Sequence, residues 1–190
     1  MRPEALEGDF TDAPVQAARA FRAALEAMAR PGTLHQVTGA RPPAPLSPAA
    51  GALLLTLCDG ETPLHLAGAT DCDAVRDWVT FHAGAPLVPA EEARFALGRW
   101  EALQPLARFA LGEPSYPDRS ATLIVEMDVL SASGARLTGP GIRSEAFLPL
   151  PEREAFKRNS RLFPLGLDFF FCAGSTLAAL PRSTKIGEVA

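Results

Sequence analysis

The sequence predicts an α/β protein in which a mixed β-sheet carries helices on both faces, and three observations lead to this class. Segments with the helical spacing of apolar residues alternate along the chain with short extended segments. Residues 121–130 alternate between apolar and mostly polar side chains, a period of two that is typical of a strand covered on one side. Residues 167–172 are almost wholly apolar, which indicates a central strand covered on both faces. A length of 190 residues fits one domain, residues 1–190.

Composition and charge exclude several classes of protein. A net charge of -4 and a pI near 5.4 argue against a nucleic-acid binder, which normally carries a basic patch. The longest apolar run is far shorter than the roughly 20 residues that cross a bilayer, and the N-terminus lacks the apolar stretch of a secretory signal. The cysteines have neither metal-site nor disulfide spacing. We therefore expect a cytoplasmic protein with reduced thiols, no metal and no membrane association.

The first predicted helix begins near residue 13, where Thr11 or Asp12 can cap it and Pro14 occupies its first turn. Apolar residues at spacings of three and four form one face, which predicts the side that packs on the core. These residues are Val15, Ala18, Phe21, Leu25 and Met28. Pro31 ends the helix, so Arg30 lies at its C-terminus beside a rigid turn.

The middle of the chain is predicted to contain a second, wholly apolar helix at 49–57, which Ser47 caps and which must be buried because it has no polar face. A third helix is predicted from Asp71, as its cap, to His82. We read His82 as a structural residue, because the sequence identifies no catalytic partner for it. Short strands are predicted at 33–37, 62–66, 85–88 and 93–97.

A hairpin is the main prediction for the second half of the chain. Small residues at 131–134 favour a turn after the alternating strand, and residues 135–138 would return alongside it before Gly139-Pro140-Gly141 breaks the strand. Residues 112–119 are predicted to be a loop that leads into the alternating strand. A charged helix at 151–160 and strands at 167–172 and 177–180 follow.

Five residues form the candidate binding site, for an anionic ligand such as a nucleotide or a phosphonate. Arg30, Ser120, Gly139, Gly141 and Arg182 offer guanidinium groups, a hydroxyl and backbone amides, which are the groups that bind phosphate oxygens. Each also has a structural interpretation. Arg30 can stabilise a helix C-terminus, the Gly-Pro-Gly segment can be a tight turn, and Arg182 can belong to a solvated strand.

Eight short segments in order along nearly the whole chain resemble the PhnH family. They are M-A-R-P-G-T at 28–33, L-L-T-L-C-D-G-E-T-P-L at 54–64, F-H-A-G-A-P at 81–86, F-A-L-G at 95–98, S-A-T-L-I-V-E at 120–126, L-T-G-P-G-I at 137–142, F-P-L-G-L-D at 163–168 and L-P-R-S-T at 180–184. Members of this family are subunits of the bacterial carbon-phosphorus lyase system for phosphonate breakdown.

The resemblance implies a subunit that forms a homodimer and joins the PhnG, PhnI and PhnJ subunits in a core complex. That complex attaches a phosphonate to the ribose of ATP and later cleaves the carbon-phosphorus bond. The implied fold is similar to the large domain of the pyridoxal-phosphate enzymes of the aspartate-aminotransferase class, without the cofactor. The resemblance therefore implies a structural or substrate-organising subunit, with no catalytic residues and no cofactor of its own.

The rival hypothesis is a free-standing pyridoxal-phosphate enzyme. Such an enzyme needs a lysine for the Schiff base, and the sequence offers only Lys157, in a charged helix, and Lys185, near the C-terminus. Neither position is typical of a buried catalytic lysine. A further expectation is self-association, because the apolar segments 49–57 and 167–172 hold more apolar side chain than one small domain easily buries.

Overall fold

A six-stranded mixed sheet forms the centre of the protein, seen in a computed structural model that describes residues 6–187. Its strands are β1 (His35–Gln36), β2 (Leu64–Leu66), β3 (Phe95–Arg99), β6 (Thr122–Glu126), β9 (Asp168–Ala173) and β10 (Thr176–Leu180). They lie in the order β1-β10-β9-β6-β3-β2. The four strands from β2 to β9 are parallel, and β10 and β1 complete the sheet in antiparallel pairing. The predicted α/β class with a mixed sheet is confirmed.

Four α-helices surround this sheet. They are α1 (Ala13–Ala29), α2 (Pro48–Leu57), α3 (Asp73–His82) and α4 (Arg153–Ser160). The start of α2 follows the predicted chemistry, since Ser47 Oγ accepts a hydrogen bond from the Ala50 N–H at 3.2 Å and Pro48 occupies the first turn. In the part of the chain that the structure describes, no helix is both long and apolar enough to cross a bilayer. The three cysteines are free thiols, as expected.

The central sheet separates two apolar cores. The first core, under α1, α2 and α3, receives Ile124, Phe170 and Cys172 from the sheet. The second core, under α4, receives their neighbours Leu123, Val125 and further residues on the other face of the same strands. Because successive side chains of a strand point to opposite faces, each central strand contributes alternately to both cores. The prediction that 167–172 is covered on both faces is confirmed, since residues 169–172 are all buried.

The predicted hairpin at 121–138 is wrong. The alternating strand ends at Glu126, and β7 (Ala135–Thr138) pairs instead with β8 (Ala146–Leu148) and β11 (Lys185–Ile186) in a separate three-stranded sheet. The predicted one-sided burial is also wrong, because residues 123–126 are all buried. Neighbouring parallel strands on both sides and a core on each face cover this segment, which a local pattern does not reveal.

Three further segments differ from the prediction. The expected loop at 112–119 is largely a hairpin formed by β4 (Leu111–Glu113) and β5 (Tyr116–Ser120). The third helix begins one residue later than expected, with Cys72 rather than Asp71 at its N-cap, while Asp71 forms an ion pair with Arg76. The predicted strand at 85–88 is reduced to a single bridge between Leu64 and Leu87.

The largest correction concerns the face that α1 turns to the core. Its buried residues are Ala20, Ala24 and Ala27, whereas Val15, Phe21 and Leu25 are exposed by 42%, 52% and 58% of their surface. The helix packs on α2 and β10, and small side chains permit that close approach. The amphipathic pattern is therefore real, but Val15, Phe21 and Leu25 lie on the outside of this chain, and of the predicted large residues Met28 packs against the first core.

Candidate functional site

Arg182 lies at the centre of a hydrogen-bond network that joins three segments. Its Nε donates to Asp168 Oδ1 at 3.1 Å, and its Nη2 donates to Asp168 Oδ2 and to Ser120 Oγ. Its Nη1 donates to the carbonyl oxygen of Pro117 at 2.7 Å, and its backbone N–H donates to Asp168 Oδ1 at 2.8 Å. The side chains of Arg182 and Asp168 are only 12% and 21% exposed. All three nitrogens of the guanidinium group therefore donate hydrogen bonds to other residues of the chain.

The Gly139-Pro140-Gly141 turn lies between the end of α1 and the C-terminal segment. A β-carbon at Gly141, whose φ is +79°, would lie 1.9 Å from the carbonyl oxygen of Ala29. A β-carbon at Gly139 would lie 3.3 Å from the carbonyl oxygen of Ser183. Close backbone approach on both sides explains why glycine stands at these positions. The backbone N–H of Ile142 donates to the carbonyl oxygen of Gly139 at 3.2 Å and closes the turn.

Arg30 occupies the C-cap of α1 next to this turn. Its side chain is 67% exposed and lies 3.5 Å from Glu26, measured from Nε to Oε2. Its carbonyl oxygen accepts hydrogen bonds from the N–H and the hydroxyl of Thr33 at 3.2 and 2.7 Å. The backbone around Arg30 is therefore fixed while the guanidinium group extends into solvent.

The structure brings the five predicted residues into one region, although they do not converge on one point. Ser120 bonds directly to Arg182, and the following residue, Ser183, approaches Gly139. Gly141 in turn touches the backbone just before Arg30. The donors of Arg182 already bind Asp168, a partner that the sequence did not suggest. The assignment of these five residues to an anionic ligand stays a prediction.

A crevice at the carboxyl ends of the parallel strands was missed in the sequence. The segment after β2 forms a turn at Gly68–Thr70 and leads to α3 over the first core, whereas the segment after β3 forms a turn at Trp100–Leu103 over the second core. Because the two connections leave neighbouring strands toward opposite faces, they open a crevice between them, the usual place for a ligand in α/β sheets. Two recesses of about 470 and 350 Å³ lie there.

Glu126, at the end of β6, is shared by both recesses. It is 8% exposed, and its Oε1 accepts a hydrogen bond from the Ser47 N–H at the start of α2, at 2.8 Å. Burial raises the pKa of this carboxyl group, and the bond to Ser47 opposes that shift. The sequence did contain a signal for this residue, because a glutamate ends an otherwise apolar strand. The alternating pattern, however, placed Glu126 on the mostly polar face that was expected to be exposed to solvent.

Arg99, at the end of β3, also lines both recesses. Its Nη2 donates to Asp128 Oδ1 at 2.5 Å, and this bond lowers the pKa of the Asp128 carboxyl group. Both side chains are mainly exposed. The guanidinium group is thus held by Asp128 rather than by the buried carboxyl group of Glu126.

The lysines of the rival hypothesis lie away from this crevice. Lys157 Nζ is 2.9 Å from Glu154 Oε1 on α4, and Lys185 is exposed in β11. Neither is among the residues that line the two recesses. Within residues 6–187, no group of three or more His, Cys, Asp or Glu side chains is arranged to hold a metal ion. His82 packs against Trp78 and Phe81 with its side chain 6% exposed, and its Nδ1 lies 3.8 Å from Asp9 Oδ2.

Comparison with known proteins gives matches along nearly the whole chain. The family model of the bacterial phosphonate metabolism protein PhnH matches residues 8–187. The alpha-D-ribose 1-methylphosphonate 5-triphosphate synthase subunit PhnH of Rhizobium meliloti (strain 1021) is 38% identical over 188 residues, with 94% of each chain covered. A putative C-P lyase subunit protein, HtxG, of Stutzerimonas stutzeri is 30% identical over 181 residues, with 88% of this chain and 84% of that protein covered.

Proposed function

The chain belongs to the PhnH family, and on that premise we propose that it is a subunit of a carbon-phosphorus lyase core complex in phosphonate catabolism. The observation that carries this proposal is the match to a phosphonate ribosyl triphosphate synthase subunit along 94% of both chains. A match of that extent leaves little of the chain for an additional domain with a separate activity. The proposed partners are PhnG, PhnI and PhnJ, in the cytoplasm.

We propose a structural or substrate-organising role rather than a catalytic one. Burial raises the pKa of the Cys58 thiol to about 12 and that of Cys172 well above its usual range, so neither is a thiolate nucleophile at neutral pH. The fold is proposed to be similar to the large domain of the pyridoxal-phosphate enzymes, and this proposal does not include binding of the cofactor. Lys157, the candidate Schiff-base lysine in α4, is held in an ion pair with Glu154 and does not line the crevice at the carboxyl ends of the strands.

Homodimer formation and subunit binding are part of the proposal, and the outer face of α1 supports them. Val15, Phe21 and Leu25 lie at spacings of six and four on one helix and are each more than 40% exposed. Aromatic and aliphatic side chains grouped in this way are typical of the buried centre of a protein interface. The sheet and its two cores supply the rigid support behind this face.

Co-purification tests the proposal directly. Tagged protein expressed in phosphate-starved cells should bring down PhnG, PhnI and PhnJ, and deletion of its gene should abolish growth on methylphosphonate as the sole phosphorus source. A Phe21→Ser, Leu25→Ser double variant should weaken self-association in sedimentation or the recovery of partners. Val129→Ser is the matched control, because Val129 is 70% exposed but lies outside α1. Recovery of none of the three subunits with the wild-type chain would contradict the proposal.

As a second proposal, we keep part of the predicted site and propose that an anionic ligand binds at the end of α1. The exposed guanidinium group of Arg30 beside the Gly141 turn favours it, whereas Arg182 is engaged by Asp168. Calorimetry with ATP and with an alkylphosphonate should then give heat with wild type and with a Glu26→Gln control, and less heat with Arg30→Ala. Equal heats for wild type and Arg30→Ala remove Arg30 from the site.

A further inference from the structure

The crevice at the carboxyl edge of the sheet has a strongly acidic lining. Glu101, Glu126 and Asp128 line its two recesses, and Arg99 is the one cationic side chain among the described residues that do so. Arg99 forms an ion pair with Asp128, which neutralises one of the three carboxylates. The remaining charge at neutral pH repels phosphate and phosphonate groups, so the crevice is unsuited to the anions that the five-residue prediction concerns.

Glu126 lies between the two recesses, where the charge of Arg99 acts on it from a distance but Arg99 pairs directly with Asp128. Within residues 6–187 its carboxyl group forms no ion pair, and the backbone N–H of Ser47 supplies the hydrogen bond to Oε1. A buried carboxylate ordinarily requires a positive charge or several donors, because the loss of hydration otherwise disfavours the charged form. The Ser47 bond alone does not explain a glutamate here, since an amide oxygen would accept it equally well.

Apolar side chains surround the acidic centre of the larger recess. Pro45, Ala69, Ala102 and Met127 line it, together with the methyl-bearing Thr70, whose hydroxyl donates to backbone carbonyl groups. Its volume of about 470 Å³ falls within the range of small-molecule sites. The combination of an apolar wall and a buried acid fits a ligand with a short hydrocarbon part and one positively charged head.

We propose that this crevice binds a small organic cation, an alkylammonium or alkylguanidinium compound, with its charged N–H group against the carboxyl group of Glu126. The cation would supply the partner that Glu126 lacks, and its alkyl part would pack on Met127 and Ala102. A charge-assisted N–H···O bond in a largely desolvated site is among the stronger polar contacts. This assignment is independent of the proposed subunit function.

Binding is measured on the isolated full-length protein at low ionic strength, by calorimetry or ligand-observed NMR. The probes are agmatine, which carries a guanidinium and an ammonium group, n-butylammonium, 1-butanol as the neutral control of similar size, and inorganic phosphate. The expected result is binding of agmatine or n-butylammonium and at least tenfold weaker binding of 1-butanol and phosphate. Because agmatine carries both head groups, n-butylammonium, which carries one, shows whether an ammonium group alone is sufficient.

Three variants identify the site. Glu126→Gln retains the acceptor for Ser47 and should lower cation affinity at least tenfold. Ala69→Phe, at an exposed wall residue, should reduce binding by filling the recess while Glu126 is intact. Glu113→Gln, on the distant β4–β5 hairpin, should bind like wild type. Circular dichroism confirms that each variant is folded.

The proposal is overturned if neither cation binds wild type, or if Glu126→Gln and Ala69→Phe bind the cations as wild type does. Absence of cation binding together with full recovery of PhnG, PhnI and PhnJ would leave the subunit assignment standing and remove only the cation site. If the isolated protein binds neither agmatine nor n-butylammonium but Glu126→Gln no longer recovers the partner subunits, the crevice receives a side chain of another protein. The small-molecule assignment is then wrong.

Discussion

Replacement of Arg182 by alanine should destabilise the protein strongly. The change removes every side-chain hydrogen bond to Asp168, Ser120 and the carbonyl oxygen of Pro117, and it leaves Asp168 with the backbone N–H of residue 182. Loss of one partner of a buried ion pair costs about 3–5 kcal/mol. Because the two side chains are 12% and 21% exposed, water compensates part of the loss, and we expect about 3 kcal/mol.

Urea and thermal unfolding measure this effect. For a chain of this size, about 3 kcal/mol corresponds to a fall in Tm of roughly 6–12 °C. Arg136→Ala is the matched control, because Arg136 forms an ion pair with Glu145 at 2.8 Å in which the side chains are 47% and 45% exposed. Such a surface pair contributes less than about 1 kcal/mol. If Arg182→Ala falls within about 0.5 kcal/mol of this control, Arg182 does not hold these segments together and its assignment to a ligand regains support.

Three further predictions concern a turn, a buried amide and a titrating group. Gly141→Ala should destabilise by more than about 2 kcal/mol in thermal melts, since its β-carbon meets the Ala29 carbonyl oxygen, whereas Gly174→Ala, also at positive φ but in open space, should cost about 1 kcal/mol. Asn159→Ala should cost about 2–4 kcal/mol in urea unfolding, because the N–H and carbonyl groups of Leu167 lose their partners; a loss under 1 kcal/mol contradicts this. Because burial raises the pKa of the Glu126 carboxyl group in the folded protein, this group stabilises the fold fully below the ordinary glutamate pKa, and the stabilisation is lost as the pH rises through the pKa of the folded state. In Glu126→Gln the free energy of unfolding should decline less over this pH range. An unchanged slope of that free energy against pH refutes the prediction.

Local chemistry made several elements predictable. Ser47 and Pro48 set the start of α2 through a capping bond and a favoured first-turn proline, which require no distant partner. The apolar run at 167–172 indicated its own burial on both faces. The sequence predicted a structural element correctly where the residues that determine it lie within a few positions of it in the chain.

The remaining features depend on partners that are far apart in the chain. The orientation of α1 depends on how closely it approaches α2 and β10, and this distance favours Ala24 over Phe21 on the inside. Likewise β7 pairs with β11, although residues 121–126 were the nearest candidate strand. Ser120 and Arg182 were both recognised as polar site residues, but Asp168, which binds the guanidinium group of Arg182, was hidden in an apolar strand.

The division of the interior by the central sheet has a consequence for how the protein opens. Phe170 and Phe171 are adjacent in β9 yet belong to different cores, so exposing either core to water requires the same strand to be released. The amides of β6 and β9 should therefore exchange with deuterium only through global unfolding, with one common free energy of opening. The small sheet formed by β7, β8 and β11 contributes Leu137 and Leu148 to the second core, so its opening exposes that core and should be coupled to the opening of the central sheet.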